Sequence, residues 1–402
     1  MVFKILKKLE DSNQPSLGPT LYGLTVWGMW QPRKGLLRFV ANFVHFLAFL
    51  FVLSQYVELW IIRSNLEAAL RNLSVSMLSS VCVVKAGTFI FWQKHWKDVF
   101  EYVSRLEKDQ MSKRDKKTNR IINEYIIYTR KVTYIYWCLV TATVFSVIFA
   151  PLATFISSST YKTSIRYETK AYPEIMSSWV PFNKSNGIGY WILILEQSMI
   201  CFYGGGIVAN YDSNAIVLMS FFTGQLKLLK SNCERLFEND DKHVNYEESI
   251  KKIRECHVHY LNLIKYSSIL NSLLSPVMFM YVIICSLMIC ASAIQLTTNG
   301  TTRMQQIWIA EYLLALIAQL FFYCWHSNKV SLMSLRIDDS VYASAWWSQN
   351  VRVRRNVSIL MQSVRKKIIF TAGPFTTLSV STFVAILRGS YSYYTLLSKR
   401  DD

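Results

Sequence analysis

The sequence predicts an all-α, polytopic membrane protein with seven transmembrane helices, and three observations support this prediction. Hydrophobic residues make up 52% of the 402 residues and charged residues only 17%, which is too apolar for an ordinary soluble domain. The apolar residues fall in blocks long enough to cross a hydrocarbon core of about 30 Å. Lys and Arg concentrate in alternate loops between these blocks, as the positive-inside rule expects.

The topology follows from the order of the spans and the distribution of charge. The predicted spans are residues 36–62, 72–92, 132–156, 188–210, 266–296, 307–326 and 372–397. About three quarters of the 44 Lys and Arg residues lie on the side of the N-terminus, which places that end in the cytoplasm and the C-terminus outside. Candidate glycosylation sequons at Asn72, Asn183 and Asn299 agree with this topology, because they fall at the loops assigned to the outside. The N-terminal stretch lacks the apolar core of a signal peptide, so insertion is expected to depend on the first span.

The segments assigned to the cytoplasm carry helical patterns of their own. In residues 211–265, Asn214–Phe237 continues the fourth span as an amphipathic helix, and Glu247–Lys265 leads into the fifth in the same way. In residues 327–371, apolar side chains recur at helical spacing between Tyr342 and Leu360. Both segments predict a cytoplasmic helical anchor bundle. Such a bundle serves either to join subunits or to bury its apolar face within one subunit, and the pattern leaves both open.

No pattern in the sequence predicts catalysis, a cofactor or a metal centre. His257 and His259 are two residues apart, which places them on different faces of a helix. The glycines at 204–206 lie inside a span, where close helix packing or local flexibility explains them better than a phosphate loop. Eight scattered cysteines predict no disulfide framework. The net charge of +18 has no nucleic-acid-binding module beside it, so we expect neither an enzyme nor a nucleic-acid partner.

Two ionisable residues lie inside predicted spans, where charge is costly and tends to face a cavity or a partner. Lys85 is close to the cytoplasmic end of the second span, where snorkelling to the interface and a functional role are both open. Arg388 is near the middle of the last span, where it is expected to brace the helix against a neighbour or to act in gating. The stretch from Thr371 to Arg400 is rich in hydroxyls, which predicts a last helix facing other helices or a water-filled path.

The C-terminal fifth of the chain resembles the insect odorant receptor family. The residues that carry the resemblance are Phe322–Val330, Tyr342–Trp347, Arg354–Arg355, Thr371–Gly373, Leu378–Ser379 and Ser390–Leu397. Upstream, only the length, the inverted topology and the loop proportions agree. The chain departs from the gustatory receptor pattern in its last span, and it lacks the coreceptor's long insertion in the second cytoplasmic loop. It is therefore similar to a tuning receptor.

The resemblance implies an odorant-binding subunit of a ligand-gated, non-selective cation channel. Such subunits assemble with the odorant receptor coreceptor as heterotetramers in the plasma membrane of sensory neuron dendrites. Their other partners would be a small, volatile, apolar odorant, the lipid bilayer and the permeant cations. By resemblance, the subunit anchor would include Asp338, Asp339, Tyr342, Trp346 and Arg354. The last helix would line the pore through Gly389, Ser392, Tyr393, Leu396 and Arg400, with Leu396 at a hydrophobic gate.

In that family the odorant binds in the extracellular half, among spans two to six, and such a pocket is expected to be apolar with few polar groups. The candidate lining residues are Met77, Ser80, Val81, Val84, Phe145, Ile148, Phe149, Trp191, Leu195, Ser198, Met199 and Tyr312. A G-protein-coupled seven-span chemoreceptor and a membrane transporter are the alternatives. The reversed charge bias and the missing Asp-Arg-Tyr and Asn-Pro-x-x-Tyr motifs count against the first, and the lack of an internal repeat counts against the second.

Overall fold

The computed structural model describes residues 14–31, 35–64, 66–113, 115–157, 174–182, 184, 187–237, 246–297 and 303–398. Its helices are α1 (Gly18–Val26), α2 (Leu36–Ile62), α3 (Leu66–Phe91), α4 (Gln93–Ser112), α5 (Lys116–Ser157), α6 (Gly187–Glu234), α7 (Tyr246–Thr297), α8 (Arg303–Ser334), α9 (Ile337–Tyr342), α10 (Val351–Ser363) and α11 (Val380–Ser398). A 3₁₀ turn covers Trp346–Ser348, and the strands are β1 (Thr371–Ala372) and β2 (Thr376–Thr377).

Within this described part, six helices are long and apolar enough to cross a membrane, namely α2, α3, α5, α6, α7 and α8. They contain the first six predicted spans, except that α3 ends at Phe91, one residue before the predicted end, and α2 has the predicted bounds. At about 1.5 Å per residue, α6 and α7 run for about 70 Å or more, over twice the thickness of a hydrocarbon core. Their extensions pack with α4, α9 and α10 at one end of the bundle, which we call the anchor end. Residues 174–182 lie at the opposite end, which we call the loop end.

Close approaches at two glycines fix how α6 packs. A β-carbon on Gly205 would overlap Val144 of α5, and one on Gly206 would overlap the indole of Trp27, which follows α1. The sequence left close helix packing and local flexibility open for the glycines at 204–206, and the structure supports close packing.

The last predicted span begins later than expected. Residues before Val380 form a hairpin in which β1 and β2 pair antiparallel, with Thr371 opposite Thr377. Its turn contains Gly373 at φ 67°, where a β-carbon would lie 2.7 Å from the ring of Phe279. The N–H of Thr371 donates to Asn271 Oδ1 of α7 at 2.8 Å. Several hydroxyls of the predicted span therefore belong to a hairpin docked on α7, and only the 19 residues of α11 continue as a helix.

The helical pattern between Tyr342 and Leu360 is interrupted. The chain breaks into α9, the 3₁₀ turn and α10, and the side chain of Asn350 caps α10 by accepting from the N–H of Val353 at 2.9 Å. Within α10 the predicted face is confirmed, because Val353, Val357 and Leu360 are buried.

Asn72 is a poor glycosylation site in this fold. It lies inside α3 rather than in a loop, it is buried, and its amide donates to the carbonyl oxygen of Ser177 at 3.0 Å. A buried, hydrogen-bonded amide leaves no room for a glycan in this fold, which argues against the predicted modification of Asn72. The sequons at Asn183 and Asn299 lie outside the described residues.

Candidate functional site in the membrane-spanning helices

A buried ion pair lies at the centre of the helix bundle. Lys85 of α3 and Asp212 of α6 approach to 2.6 Å, and their side chains are 1% and 0% exposed. Burying two charges is favourable only when both are paired and their remaining hydrogen-bonding capacity is used. Lys85 therefore does not snorkel to an interface. Of the two possibilities that the sequence left open, snorkelling and a functional role, this placement excludes snorkelling.

Asp212 accepts four hydrogen bonds in all. Its Oδ1 accepts from Lys85 Nζ and the Tyr323 hydroxyl, and its Oδ2 accepts from the Tyr136 hydroxyl and Gln319 Nε2, each at 2.6 Å. Two carboxylate oxygens offer about four acceptor positions, so the acceptor capacity of Asp212 is filled. Four helices, α3, α5, α6 and α8, are joined through this one carboxylate.

Aromatic rings complete the environment of the lysine. The Lys85 ammonium lies 5.5 Å from the ring centroid of Tyr211 and 5.4 Å from that of Tyr281, within the range of a cation–π interaction. Tyr281 brings in α7 as a fifth helix. We call the whole group the Asp212 cluster; its members are Lys85, Tyr136, Tyr211, Asp212, Tyr281, Gln319 and Tyr323.

Sequence reasoning found Lys85 and missed Asp212. The fourth span was ended at residue 210, which assigned Asp212 to a cytoplasmic helix, whereas α6 continues to Glu234 without a break. One signal was available. A lysine inside a span calls for an acid on another span at similar depth, and Asp212 is two residues beyond the predicted boundary on the same side of the membrane.

The candidate ligand-binding residues divide into two groups. The first, which we call the inward group, has buried or half-buried side chains and consists of Met77, Ser80, Val81, Val84, Ile148, Ser198 and Tyr312. Val81 is buried, and Met77, Val84 and Tyr312 pack against the same core. Ser80 shares a hydrogen bond with the Tyr56 hydroxyl at 2.9 Å, and Tyr312 donates to Met288 Sδ at 3.7 Å. Ser198 is half-buried on α6. Ile148 is buried in a separate, smaller cluster with Ile175, Tyr190, Ile194 and Cys201.

The second group lies on the outside of the chain. Its side chains are between 44% and 65% exposed, and they belong to Phe145, Phe149, Trp191, Leu195 and Met199. These residues do not line the interior of the bundle, contrary to what the sequence predicted. The reason is physical: a lipid-facing surface and an odorant pocket are both apolar, so hydrophobicity cannot tell which face of a spanning helix turns inward.

Residues 174–182 fold onto the loop end of the bundle. The Gln197 side chain of α6 accepts from the N–H groups of Ile175 and Met176 and donates to the carbonyl oxygen of Met176. The N–H of Trp179 donates to the carbonyl oxygen of Ser54 on α2 at 3.2 Å. With the bond from Asn72, these contacts tie the loop to three helices next to the inward group.

A cavity of about 230 Å³ lies between α7, α8 and α11. It is mostly apolar and is lined by Ile289, Ala293, Leu296, Leu313, Leu387, Ser390 and Tyr391. None of the lining residues was predicted as ligand-binding. Leu313 follows Tyr312 of the inward group on α8, so this cavity and the inward group are neighbours along one helix.

Helix α11 has one packed face and one exposed face. Phe383, Ile386 and Leu387 pack against the core, and the Ser390 hydroxyl donates to the carbonyl oxygen of Ser286 on α7 at 3.1 Å. Arg388 is on the exposed face, so it does not brace α11 against a neighbour as the sequence suggested.

The predicted pore residues are only partly visible on this helix. Among the atoms that the structure describes, none lies within 4 Å of a β-carbon placed on Gly389, and Ser392 is exposed. Tyr393 and Leu396 belong to α11, but their side chains lie outside the described part, as does Arg400 altogether. Their predicted roles stay predictions.

The predicted anchor residues are likewise divided. Asp338 pairs with Arg365 at 3.5 Å, and Trp346 packs against the core. Asp339, Tyr342 and Arg354 are exposed on the anchor end. Among the residues that the structure describes, no group of three or more His, Cys, Asp and Glu side chains could hold a metal ion.

The fold defines the class to which this chain belongs. It matches the insect olfactory receptor OR5 from Machilis hrabei, solved in complex with eugenol, with a TM-score of 0.80. The match covers 95% of this chain and 97% of OR5 at 17% sequence identity, so it shows a shared fold. The class is therefore an all-α, multi-pass membrane protein with the architecture of an insect olfactory receptor.

The family follows from the sequence itself. The family model described as "7tm Odorant receptor" matches residues 65–391, and the chain belongs to this family of receptors, which is not an enzyme family. It is 25% identical over 210 residues to Odorant receptor 10 of Aedes albopictus, covering 52% of this chain and about half of that relative's length (56%). It is also 25% identical over 345 residues to Odorant receptor 82a of Drosophila melanogaster, covering 83% and 85% of the two chains. The likeness thus extends far beyond the C-terminal fifth.

Proposed function

We propose that this odorant receptor is the ligand-binding subunit of a heteromeric, odorant-gated, non-selective cation channel. Its family supports an odorant-binding chemoreceptor, and the six long apolar helices of its described part support a multi-pass membrane protein. The partner subunit would be the odorant receptor coreceptor, in a heterotetramer in the plasma membrane of sensory neuron dendrites. One observation carries the channel proposal: Ser381, Ala385, Arg388 and Ser392 form a strip of small side chains and one charge on the exposed face of α11.

That face differs from an ordinary lipid-facing surface. The exposed face of α2 carries large apolar side chains such as Leu37, Phe39 and Phe46. On α11, by contrast, the polar side chains of Ser381, Arg388 and Ser392 are exposed. Polar helix faces in membranes usually turn to other helices or to water. In the heterotetramer, α11 and the equivalent helices of the other subunits would enclose such a water-filled path around a common axis, and Leu396 would contribute to an apolar gate.

The anchor end offers a surface for the partner subunits. Tyr342, Trp347, Val351 and Ile359 are each 60% or more exposed there. Exposed apolar patches of this kind mark interaction sites in proteins. We assign subunit contacts to this surface, together with the exposed Asp339 and Arg354.

The odorant would bind next to the inward group. OR5 binds eugenol, and we propose that this chain also takes a small, mostly apolar organic ligand. Met77, Val81 and Val84 would supply apolar contacts, whereas the hydroxyls of Ser80 and Tyr312 would orient a polar group of the ligand. The loop 174–182 would close the loop end over it.

A contact on α8 connects this region to α11. Tyr312 belongs to the inward group, and farther along the same helix the ring of Phe321 meets that of Phe383 on α11 edge to face, with centroids 5.5 Å apart. A ligand that shifts α8 would therefore shift a helix whose side chains pack directly on α11. This provides a physical path from ligand binding to the opening of the pore.

The ligand-binding half of the proposal is tested by a matched pair of variants. The receptor would be expressed with the coreceptor, and odorant-evoked current would be recorded over a range of odorant concentrations. Val81→Phe adds bulk inside the bundle where the ligand is proposed to bind and should raise the half-maximal concentration about tenfold, which corresponds to a loss of about 1.4 kcal/mol of binding free energy. Trp191→Ala, on the outer surface, should leave the half-maximal odorant concentration within about twofold of the wild-type value.

The reverse pattern, in which only Trp191→Ala changes odorant potency, would move the binding site to the outside of the chain. Surface biotinylation of both variants is the control, since a variant that fails to reach the membrane reports on folding. A current that does not depend on the coreceptor would contradict the heteromeric assembly.

A further inference from the structure

The exposed face of α11 carries one cation among small side chains. Ser381, Ala385, Arg388 and Ser392 follow at steps of four, three and four residues, which places them on one face of the helix. All four are exposed, and the face opposite packs against α7 and α8. We call these four residues the Arg388 strip. Exposed apolar residues, Val384 and Tyr391, flank the strip on one side.

The charge on this strip lies near the middle of α11. Arg388 is at least about 12 Å along the helix from either end of α11, at a rise of about 1.5 Å per residue. The sequence of α11 contains no Asp or Glu that could neutralise it. An arginine that faced lipid at this depth would be costly, and the other three side chains of the strip are two hydroxyls and a methyl group, with no large hydrocarbon side chain among them. Water is therefore the environment that suits this face.

Building on the proposed function, we propose that Arg388 projects its charge into the ion path and lowers the permeability of the channel to divalent cations relative to monovalent cations. Arg388, whose role the resemblance to other odorant receptors left unexplained, would thus act on ion selectivity rather than on gating.

The physical reason is the dependence of Coulomb energy on charge. At a given distance and dielectric constant, the repulsion between Arg388 and a divalent ion is twice that for a monovalent ion. If the guanidinium lowers the local occupancy by Na⁺ by some factor, it lowers the occupancy by Ca²⁺ by the square of that factor. Charged rings select ions in channels in this way. The effect should grow with the number of copies of this chain in the assembly.

The experiment measures the Ca²⁺/Na⁺ permeability ratio from reversal potentials of odorant-evoked current, with this chain co-expressed with the coreceptor. Arg388→Gln should raise the ratio about twofold or more, and Arg388→Lys should keep the wild-type value. Arg352→Gln removes the same charge from the exposed surface of α10, and it should leave the ratio unchanged.

A second variant keeps the test valid if Arg388→Gln fails to reach the surface. Ser392→Cys retains Arg388, and a cationic methanethiosulfonate reagent would add a second positive charge one turn away. This treatment should lower the Ca²⁺/Na⁺ ratio. Wild-type receptor treated with the same reagent is the control, because it reports any effect of labelling the exposed Cys138 on α5.

The outcomes separate the two proposals. A normal odorant-evoked current with the same permeability ratio in wild type, Arg388→Gln and labelled Ser392→Cys would overturn the role of Arg388 and leave the channel intact. A correctly assembled wild-type complex that passes no odorant-evoked current would overturn the channel proposal and this inference with it.

Discussion

Removing the carboxylate of Asp212 is the most informative perturbation of this fold. Asp212→Ala leaves the Lys85 ammonium buried without a counter-ion and takes the acceptor from Tyr136, Tyr323 and Gln319. Lys85→Met removes one of the four donors and leaves the other three in place. The two single variants therefore damage the same cluster to very different degrees.

The magnitudes follow from the number of partners lost. Breaking a buried ion pair by deleting one member costs about 3–5 kcal/mol, which applies to both variants. Each buried donor left without an acceptor adds about 1–3 kcal/mol, which applies only to Asp212→Ala. Total stabilities of about 5–15 kcal/mol are typical, so Asp212→Ala should leave little folded receptor. Lys85→Met should survive with a thermal midpoint lower by on the order of 10 °C.

The double variant distinguishes an ion pair from two independent residues. In Lys85→Met/Asp212→Ala no charge is left buried without a partner, so the double variant should be no less stable than Asp212→Ala alone. Stability would be measured as the midpoint for loss of the monodisperse peak in fluorescence-detected size-exclusion chromatography, alongside surface biotinylation. Lys227→Met is the matched control, because Lys227 forms an exposed pair with Glu124 at 2.8 Å and should have little effect. Losses that simply add in the double variant would refute a coupled pair.

Two further predictions concern the anchor end and the packing of α1. Burial raises the pKa of Glu107 on α4, so the folded state holds the Glu107 proton more tightly than the unfolded chain does. The protonated carboxyl therefore contributes most to stability below about pH 4.5, and this contribution falls as the pH rises through the raised pKa. The thermal midpoint of the wild type should thus drop more from about pH 5 to about pH 8 than that of Glu107→Gln, and equal slopes would contradict this. Gly206→Ala should lower surface expression, because its β-carbon would overlap Trp27, whereas Gly389→Ala, which meets open space, should not. Equal effects of the two alanines would show that α1 does not pack against α6 as described.

The spans were predictable because they rest on long-range composition. An apolar run of 20 or more residues identifies a spanning helix whatever it packs against, so α2 was predicted to the residue. The buried face of α10 was predictable for a related reason. Val353, Val357 and Leu360 lie at the boundary between water and core, where polar neighbours supply contrast.

The site was harder to predict because a membrane removes that contrast. Trp191 and Val81 are both apolar, yet one lies outside the bundle and the other inside it. The partner of Lys85 is more than 120 residues away in sequence, and only the fold brings Asp212 to it. The hairpin before α11 was missed because Ala372 and Leu378 continue an apolar run, although Gly373 adopts a positive φ that ends any helix there.

The central claim is that ligand binding and ion conduction belong to the same complex. The most direct test records single-channel current in outside-out patches from cells that express this chain and the coreceptor. The pipette solution would hold a non-hydrolysable GDP analogue and no ATP or GTP. We expect the odorant to open channels within milliseconds in the excised patch, and the response should persist without nucleotide. A response that disappears on excision and returns only with GTP would contradict the account and favour a G-protein-coupled receptor.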